Sequence, residues 1–486
     1  MPHCKITITD EVNCKIADLD LDTRKRLVAK FKFELPYARH MPAFKLGRWD
    51  GKVPYFNLGG TTYVNLLPEI IEWLAERNYS FDLDDRRPQY DFQFQQVDEE
   101  SFSHIVWPKG HVAEGKPIML RDYQVEIINT FLENPMGIQE VATGAGKTIM
   151  TAALSSRVEP YGRSVVIVPN IDLVKQTEAD YRNMGLDVGV FFGDRKEYGK
   201  THTICTWQSL NNIGKKEKDE LVRAVSMETF FDGVIAIIVD ETHQAKAEVL
   251  KSLLTDTLAH SPRRWGLTGT IPKEAFEQVA LKISLGDVLN QLSASELQAK
   301  GVLSNCHVNI VQTAEHSAFT NYQSELAYLT TDPDRLDYLA GLIRTINDSG
   351  NTLVLVDRIS AGEGLTERLG GTAVFVSGTM DSDDRKVQYD EVANVDDKII
   401  VATYGVAAVG INIPRIFNLV LIEPGKSFVR VIQSIGRGIR KADDKDFVQI
   451  WDITGDCKFA KRHLTKRKQF YREANYPFTQ QKASYK

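Results

Sequence analysis

The sequence predicts an α/β protein: two parallel-sheet halves in tandem, preceded by a small α+β unit. Three observations predict it. Met136–Met150 (MGIQEVATGAGKTIM) reads as a strand, a glycine loop and a helix start. Val234–Val239 is an unbroken apolar run, as a strand buried on both faces of a parallel sheet requires, and it delivers Asp240-Glu241-Thr242-His243 at its carboxyl end. The alternation of short apolar strands with helices then starts again at Thr352, without a second glycine loop.

Residues 1–83 read as the small unit. Lys5–Thr9 alternates like a strand, and Asp22–Phe33 has helical spacing with Asp22 as a candidate cap. Pro42–Phe56 (PAFKLGRWDGKVPYF) predicts a hairpin turning at Asp50-Gly51. Thr61–Leu66 reads as a strand and Leu67–Glu76 as an amphipathic helix. From Arg24 to Lys52 nine bases stand against two acids, Glu34 and Asp50, with Phe44, Trp49 and Tyr55 interleaved. Bases and aromatics together suit a surface that tracks phosphates and stacks bases, with Lys45, Arg48 and Lys52 flanking the turn. The plainer alternative is a solvated helix face beside a tryptophan, and Trp49 itself reads as core. Residues 84–117 are polar and short of apolar periodicity, as in a linker.

The first half spans 118–283. In Gly144-Ala145-Gly146-Lys147-Thr148 the glycines let several backbone N–H groups point at one spot, where a helix N-terminus adds positive charge. Lys147 then reaches β- and γ-phosphates, and the Thr148 hydroxyl ligates Mg²⁺. Val141 occupies the first glycine position of the usual pattern, but the tail TGAGKT is intact. Gln124 opens the helix Gln124–Glu133 and is placed to read the hydrogen-bonding edge of adenine. Ser164–Val168 is a strand followed by Pro169-Asn170 and the helix Asp172–Tyr181, and Thr203–Thr206 runs into Trp207-Gln208-Ser209. After Val234–Val239 the paired carboxylates have distinct roles: Asp240 orients hydrated Mg²⁺, and Glu241 polarises an attacking water. Arg264–Thr270 ends this half as a strand with a hydroxyl-rich loop.

In the second half, 284–457, strands are expected at Thr352–Val356, Ala373–Val376, Ile399–Thr403 and Leu419–Ile422. Ser377-Gly378-Thr379 and Tyr404-Gly405 follow two of them. In Gln433–Arg440 the arginines Arg437 and Arg440 share one helix face, and planar guanidinium groups suit phosphate oxygens. Residues 458–486 are basic and read as a terminal helix with a loose tail.

Composition bounds the rest. A chain of 486 residues with 43% hydrophobic content has material for about three domains. The formal net charge is −6, so a nucleic-acid partner follows only from local patches. The five cysteines are scattered with no CxxC pair, which argues against a disulfide frame or a zinc site. No apolar run is long enough to span a bilayer, and MPHCKITITD lacks a signal-peptide core. A soluble cytoplasmic protein is expected, in the host-cell cytoplasm if viral.

The ordered set RDYQ, TGAGKT, VPN, TWQS, DETH, LTGT, SGT, ATYGVAAVGINIP and QSIGRGIR, over about residues 119–440, resembles the superfamily 2 helicases of DExH type. PAFKLGRWDGK ahead of the motor, with TWQSL, ATYGVAAVGI and VIQSIGRGIRK, is similar to the bacteriophage UvsW helicases. The resemblance implies two RecA-like domains with ATP between them and nucleic acid crossing both. It implies an ATP·Mg²⁺ site of Gln124, Gly144, Ala145, Gly146, Lys147, Thr148, Asp240, Glu241, Gln433, Arg437 and Arg440. His243 and Thr268-Gly269-Thr270 are implied as coupling elements. Pro169, Asn170, Gln208, Ser209, Gly378, Thr379, Thr403 and Gly405 are implied as strand contacts. The activity implied is ATP-dependent unwinding or migration of branched DNA, fork regression and annealing, in recombination, repair and replication. Asn412 stands where many members carry Asp, so that carboxylate's coupling role does not transfer. The rivals are an RNA helicase, a restriction-system motor subunit, and an annealing or scaffold protein with a vestigial ATPase.

Overall fold

The computed structural model describes residues 2–109, 113–216, 226–242, 251–378, 380, 387–389, 395–407, 415–439 and 444–485. The chain forms two compact units: residues 1–140 with 146–291, and residues 141–145 with 292–486.

The N-terminal part of the first unit is built on β1 (His3–Ile8), β2 (Asn13–Ala17), β3 (Lys32–Glu34), β4 (Lys52–Pro54), β5 (Thr61–Tyr63) and β6 (Ser80–Asp85), of which four make a sheet in the order β5-β2-β1-β6. Its first helix is Leu21–Lys30, and the cap expected of Asp22 falls instead to Asp20. Asp20 has extended backbone, and its carboxylate accepts the Thr23 N–H at 2.9 Å and the Thr23 hydroxyl at 2.7 Å. Asp22 is already inside the first turn, where it pairs with Arg26 at 2.8 Å.

The hairpin expected over Pro42–Phe56 does not form. β4 pairs antiparallel with β3, far upstream, and residues 35–51 loop out through two short helical turns, Ala38–His40 and Pro42–Lys45. Pro42 suits the first position of such a turn, where no N–H is needed. Gly51 (φ +78°) brings the chain back toward β4, and a Cβ there would lie 2.9 Å from the Ala38 Cβ. Trp49 packs against the small domain's core, and its indole N–H donates to the Lys52 carbonyl at 2.8 Å.

That core does not end at the small domain. Tyr55, Phe56 and Leu67 are continuous with Phe276 and Ile283 of the helix Ala275–Leu285. Around the apolar contact, Glu11 N–H donates to the Ala259 carbonyl (3.0 Å) and the Asn13 amide to the Thr255 carbonyl (2.8 Å). The Asn65 amide donates to the Lys282 carbonyl (2.8 Å), and Lys282 pairs with Glu69 (2.8 Å). Residues 86–109 and 113–117 then lie against the motor as a strap of little regular structure. Tyr90, Phe92 and Phe94 stack in series, with Arg263 over the Phe92 ring and Trp265 at the end. The Asn129 amide accepts from and donates to the Val97 backbone, as a strand neighbour would.

The first unit's large sheet comprises β7 (Met136–Val141), β8 (Arg163–Val168), β9 (Val188–Phe192), β10 (Arg195–Lys196), β11 (His202–Thr206), β12 (Val234–Asp240), β13 (Arg263–Thr268) and β14 (Val288–Leu292), ordered β10-β9-β11-β8-β12-β13-β7-β14. β8, β11, β12, β13 and β7 run parallel, so their carboxyl ends share one edge.

The second unit's sheet holds β15 (Asn305–Thr313), β16 (Thr352–Val356), β17 (Ala373–Val376), β18 (Ile399–Thr403), β19 (Asn418–Ile422), β20 (Phe447–Gly455) and β21 (Phe478–Ala483), ordered β17-β18-β16-β19-β20-β15-β21. All its pairings are parallel. The tail expected to be loose is therefore an edge strand: after the helix Lys458–Glu473, the chain turns and β21 adds to β15. Arg467, wholly buried on that helix, bonds both Asp452 oxygens (2.8 and 2.9 Å), and the Tyr471 hydroxyl adds a third bond at 2.7 Å.

Phe276→Ala should expose this chain's dependence on the docked N-terminal core. Deleting a buried phenyl group costs about 3–5 kcal/mol, so the melting midpoint should fall and proteolysis near residues 84–117 should accelerate. An unchanged midpoint with parental resistance to protease would contradict the shared core.

Candidate nucleotide and nucleic-acid site

β7 leads into the loop whose Gly144 (φ +92°) and Gly146 (φ +84°) both adopt the left-handed conformation. Gly146 is the cap residue of the helix Lys147–Val158, which starts on Lys147 itself. The glycine at 146 is required twice over. Its φ disfavours a side chain, and a Cβ there would lie 2.7 Å from Gln124 Nε2. Gln124 is buried, and its Oε1 accepts the Arg121 N–H at 2.9 Å, closing the start of the helix Asp122–Glu133. The amide is thus a brace under the loop as well as a candidate base reader.

The interior strand β12 ends at Asp240 and delivers both carboxylates at the sheet's carboxyl edge, within reach of Lys147. Lys147 Nζ lies 2.9 Å from Glu241 Oε1, with both side chains under 10% exposed. The Glu241 backbone is left-handed (φ +51°), an unusual conformation for a non-glycine residue and one that clusters at functional sites. Its N–H donates to Asp240 Oδ1 at 2.9 Å, and its Oε2 accepts the Gly269 N–H at 3.4 Å. The Thr268-Gly269-Thr270 loop is therefore bonded to the candidate base. Burial, then repulsion from Glu241, pushes the Asp240 carboxyl up, against the pull of Lys147.

Two adjacent carboxylates facing one ammonium leave a negative excess in a buried place. A hard divalent cation such as Mg²⁺ suits that excess, and Asp240 with the Thr148 hydroxyl would supply oxygen donors of the kind it prefers. The residues fit the ion.

The sequence-derived strand contacts gather at carboxyl edges. Pro169 and Asn170 follow β8, and Gln208 and Ser209 follow its sheet neighbour β11. Gln208 Nε2 donates to the Pro169 carbonyl at 3.3 Å, which joins the two segments directly. Asn170 caps the helix Ile171–Asn183 through the Leu173 N–H, while its Nδ2 has no partner among the described residues. In the second unit Gly378 follows β17, Thr403 ends β18 and Gly405 follows it, and the two strands are again neighbours. A Cβ on Gly378 would be 3.9 Å from Val406 Cγ2, and the Val406 N–H approaches Thr403 Oγ1 at 3.5 Å. Lys45, Arg48 and Lys52 are all exposed. Thr379, His243, Asn412 and Arg440 lie outside the described residues, as do the side chains of Gln433 and Arg437, whose backbone belongs to the helix Phe428–Gly438.

Sequence reasoning missed a polar thread beneath the loop. Ser155, on the phosphate-loop helix, bonds Ser164 of β8 (2.9 Å) and the Tyr181 hydroxyl (2.8 Å), and Ser164 bonds His202 of β11 (2.8 Å). Burial pushes His202 down to about 4, so the ring is neutral near neutral pH. The signal available was a run of small hydroxyl residues inside otherwise apolar elements.

The chain matches the family model of the type III restriction enzyme res subunit over residues 117–273, and that of the helicase conserved C-terminal domain over residues 334–442. The chain is similar to the superfamily 2 helicases. The ATP-dependent DNA helicase UvsW of Enterobacteria phage T4 is 24% identical over 480 residues, covering 94% of this chain and 92% of that protein. The DNA 3'-5' translocase XPB2 of Sulfurisphaera tokodaii is 29% identical over 184 residues, 38% of each chain. Dbp5 of S. cerevisiae, solved with RNA and ADP BeF3, superposes with a TM-score of 0.54 at 15% identity, covering 76% of this chain and 90% of that one. That last likeness is one of fold.

Gly146→Ala should keep its secondary structure and lose nucleotide. Left-handed strain of about 1–3 kcal/mol and the clash with Gln124 would distort the loop. Fluorescent-ATP titration should show affinity weaker by roughly 5- to 150-fold, as that free energy implies; parental affinity would mean the loop geometry is not what holds phosphate.

Proposed function

We propose that this chain is an ATP-dependent DNA helicase or translocase that works on branched DNA. The observation carrying this reading is the buried Lys147–Glu241 pair beside Asp240, next to a loop built to receive phosphate. The likeness to T4 UvsW across nearly the whole chain supports DNA as the substrate.

The chemistry assigns each group a task. Lys147 leaves Glu241 for the β- and γ-phosphates of ATP, and the released Glu241 carboxylate takes a proton from the attacking water. Mg²⁺ bound at Thr148 and Asp240 would supply charge neutralisation at the phosphates. Gly269 N–H keeps the freed carboxylate oriented. Gln433, Arg437 and Arg440 are proposed to stabilise charge on the transferred phosphoryl group. The exposed Lys45, Arg48 and Lys52 are proposed to grip duplex arms, with the Trp49 indole holding the Lys52 backbone in place.

Glu241→Gln should bind ATP and hydrolyse it about 100-fold more slowly or worse, because an amide is a poor base. Lys147→Ala should abolish turnover while oligonucleotide binding persists. Parental turnover by Glu241→Gln would refute the assignment of the base. The substrate is tested by comparing ATPase stimulation by single-stranded, duplex, forked and four-way-junction DNA with RNA. Stimulation by RNA alone would overturn the DNA reading.

Neutralising Lys45, Arg48 and Lys52 together should weaken binding to a fork more than to a single strand and flatten its salt dependence. Equal affinities and equal salt slopes for a folded variant and the parent would remove the small domain from DNA recognition.

A further inference from the structure

Because the second sheet is wholly parallel, the carboxyl ends of its strands emerge along one edge. In the order β17-β18-β16-β19-β20, that edge carries Gly378, then Thr403 and Gly405, then Arg358, then Lys426, then Lys458 and Arg462. Adjacent strands lie about 4.8 Å apart, so the ends of β19 and β20 are only roughly 10 and 14 Å from that of β18. Lys426, Lys458 and Arg462 are exposed, and Arg358 is half-buried. They come from three separate segments, and they meet in a chain whose formal net charge is −6.

Several contacts tie those segments together. Arg467 donates to the Gly425 carbonyl at 2.7 Å, fixing the loop after β19 against the terminal helix. Tyr322, half-buried, has its ring 4.9 Å from that of His463, and its hydroxyl would be 3.7 Å from a Cβ on Gly425. Arg358 reaches the Gln323 side chain at 2.9 Å, next to Tyr322. Burial, then the charges of Arg467, Lys426 and Arg462, pushes His463 down to about 4, so the positive field converges on that ring.

Among the described residues, the acids beside these cations are already committed. Glu325 accepts the Phe459 and Ala460 N–H groups at 3.0 and 2.7 Å, capping the terminal helix from a different element. Glu423 accepts from Arg335, Thr454 and Gly455. Asp357 pairs with Arg430 at 2.8 Å, and Asp456 with Lys461 at 3.6 Å. Ordinary solvated lysines scatter among acids of the same surface; here the cations stand together and the acids face inward or are paired.

We propose that a nucleic-acid strand held at Gly378, Thr403 and Gly405 continues along this edge, its phosphates bound by Arg358, Lys426, Lys458 and Arg462. Tyr322 offers a ring at the same place. This rests on the nucleic-acid reading above and extends its path beyond the helicase motifs, to the terminal basic helix.

The test is a length series of single-stranded oligothymidylate, binding measured by fluorescence anisotropy at two salt concentrations. Parent affinity should climb with length until the track is filled. The variant Lys426→Ala/Lys458→Ala/Arg462→Ala should match the parent on the shortest oligonucleotides and stop climbing earlier. On long ones it should bind at least roughly tenfold more weakly, with a log–log salt slope shallower by about 2, as expected for three lost phosphate contacts. A charge-keeping variant, Lys426→Arg/Lys458→Arg/Arg462→Lys, should restore the long-oligonucleotide affinity. A neutralised variant that follows the parent's whole length profile, or that falls equally at every length, overturns the proposal. If the parent binds no oligonucleotide, the nucleic-acid reading itself fails, and that result differs from either.

Discussion

The arrangement at the first sheet's edge depends on the ion pair between Lys147 and Glu241. Two neighbouring carboxylates in a site of low exposure repel each other strongly, and water is not there to screen them. One ammonium, brought in by the first residue of a helix, holds the pair together at 2.9 Å. Burying such charges is tolerable only when the remaining lone pairs are occupied. Here the Glu241 N–H serves Asp240 and the Gly269 N–H serves Glu241. Everything that fixes those backbone groups, from β7 across β13 to β12, serves that one contact.

The second unit keeps buried charge in the same way but for a different end. Arg335 is wholly buried between Glu315 and Glu423, and Glu423 has the left-handed conformation (φ +44°). Arg467, Asp452 and Tyr471 form a second closed set on the terminal helix. Each set crosses elements distant in sequence and leaves its members satisfied. Such networks specify one geometry better than an apolar contact would, because a shifted register would strand a charge. The edge beyond them, where the exposed bases stand, is therefore a rigid one.

The sequence made the motor legible because its signals are local. Buried parallel strands are continuous apolar runs, and the expected Thr352–Val356, Ala373–Val376 and Ile399–Thr403 coincide with β16, β17 and β18. The phosphate loop announces itself through glycines that the structure holds at positive φ. What escaped is set by distant partners. Either Asp20 or Asp22 could cap the first helix, and only the extended backbone at Asp20 decides. The partner of β4 lies some twenty residues upstream, across an excursion that read as a hairpin. Tyr90, Phe92 and Phe94 sit in polar surroundings and look like linker until Arg263 and Trp265 are placed beside them. β21 follows a basic helix and is polar along most of its length, as an edge strand can be.

The docked N-terminal domain has a mechanical consequence. Glu11, Asn13, Asn65 and Glu69 bond to the body carrying the phosphate loop, and the Tyr55–Phe276 contact joins the two cores. The small domain is then geared to the engine, not tethered to it. Any stroke of the first sheet sweeps the basic surface around Lys45, Arg48 and Lys52 through the same displacement, with no slack to take up. Under the DNA-gripping role proposed for that surface, whatever it held would be pushed or pulled at each stroke, and the domain would work as a lever arm.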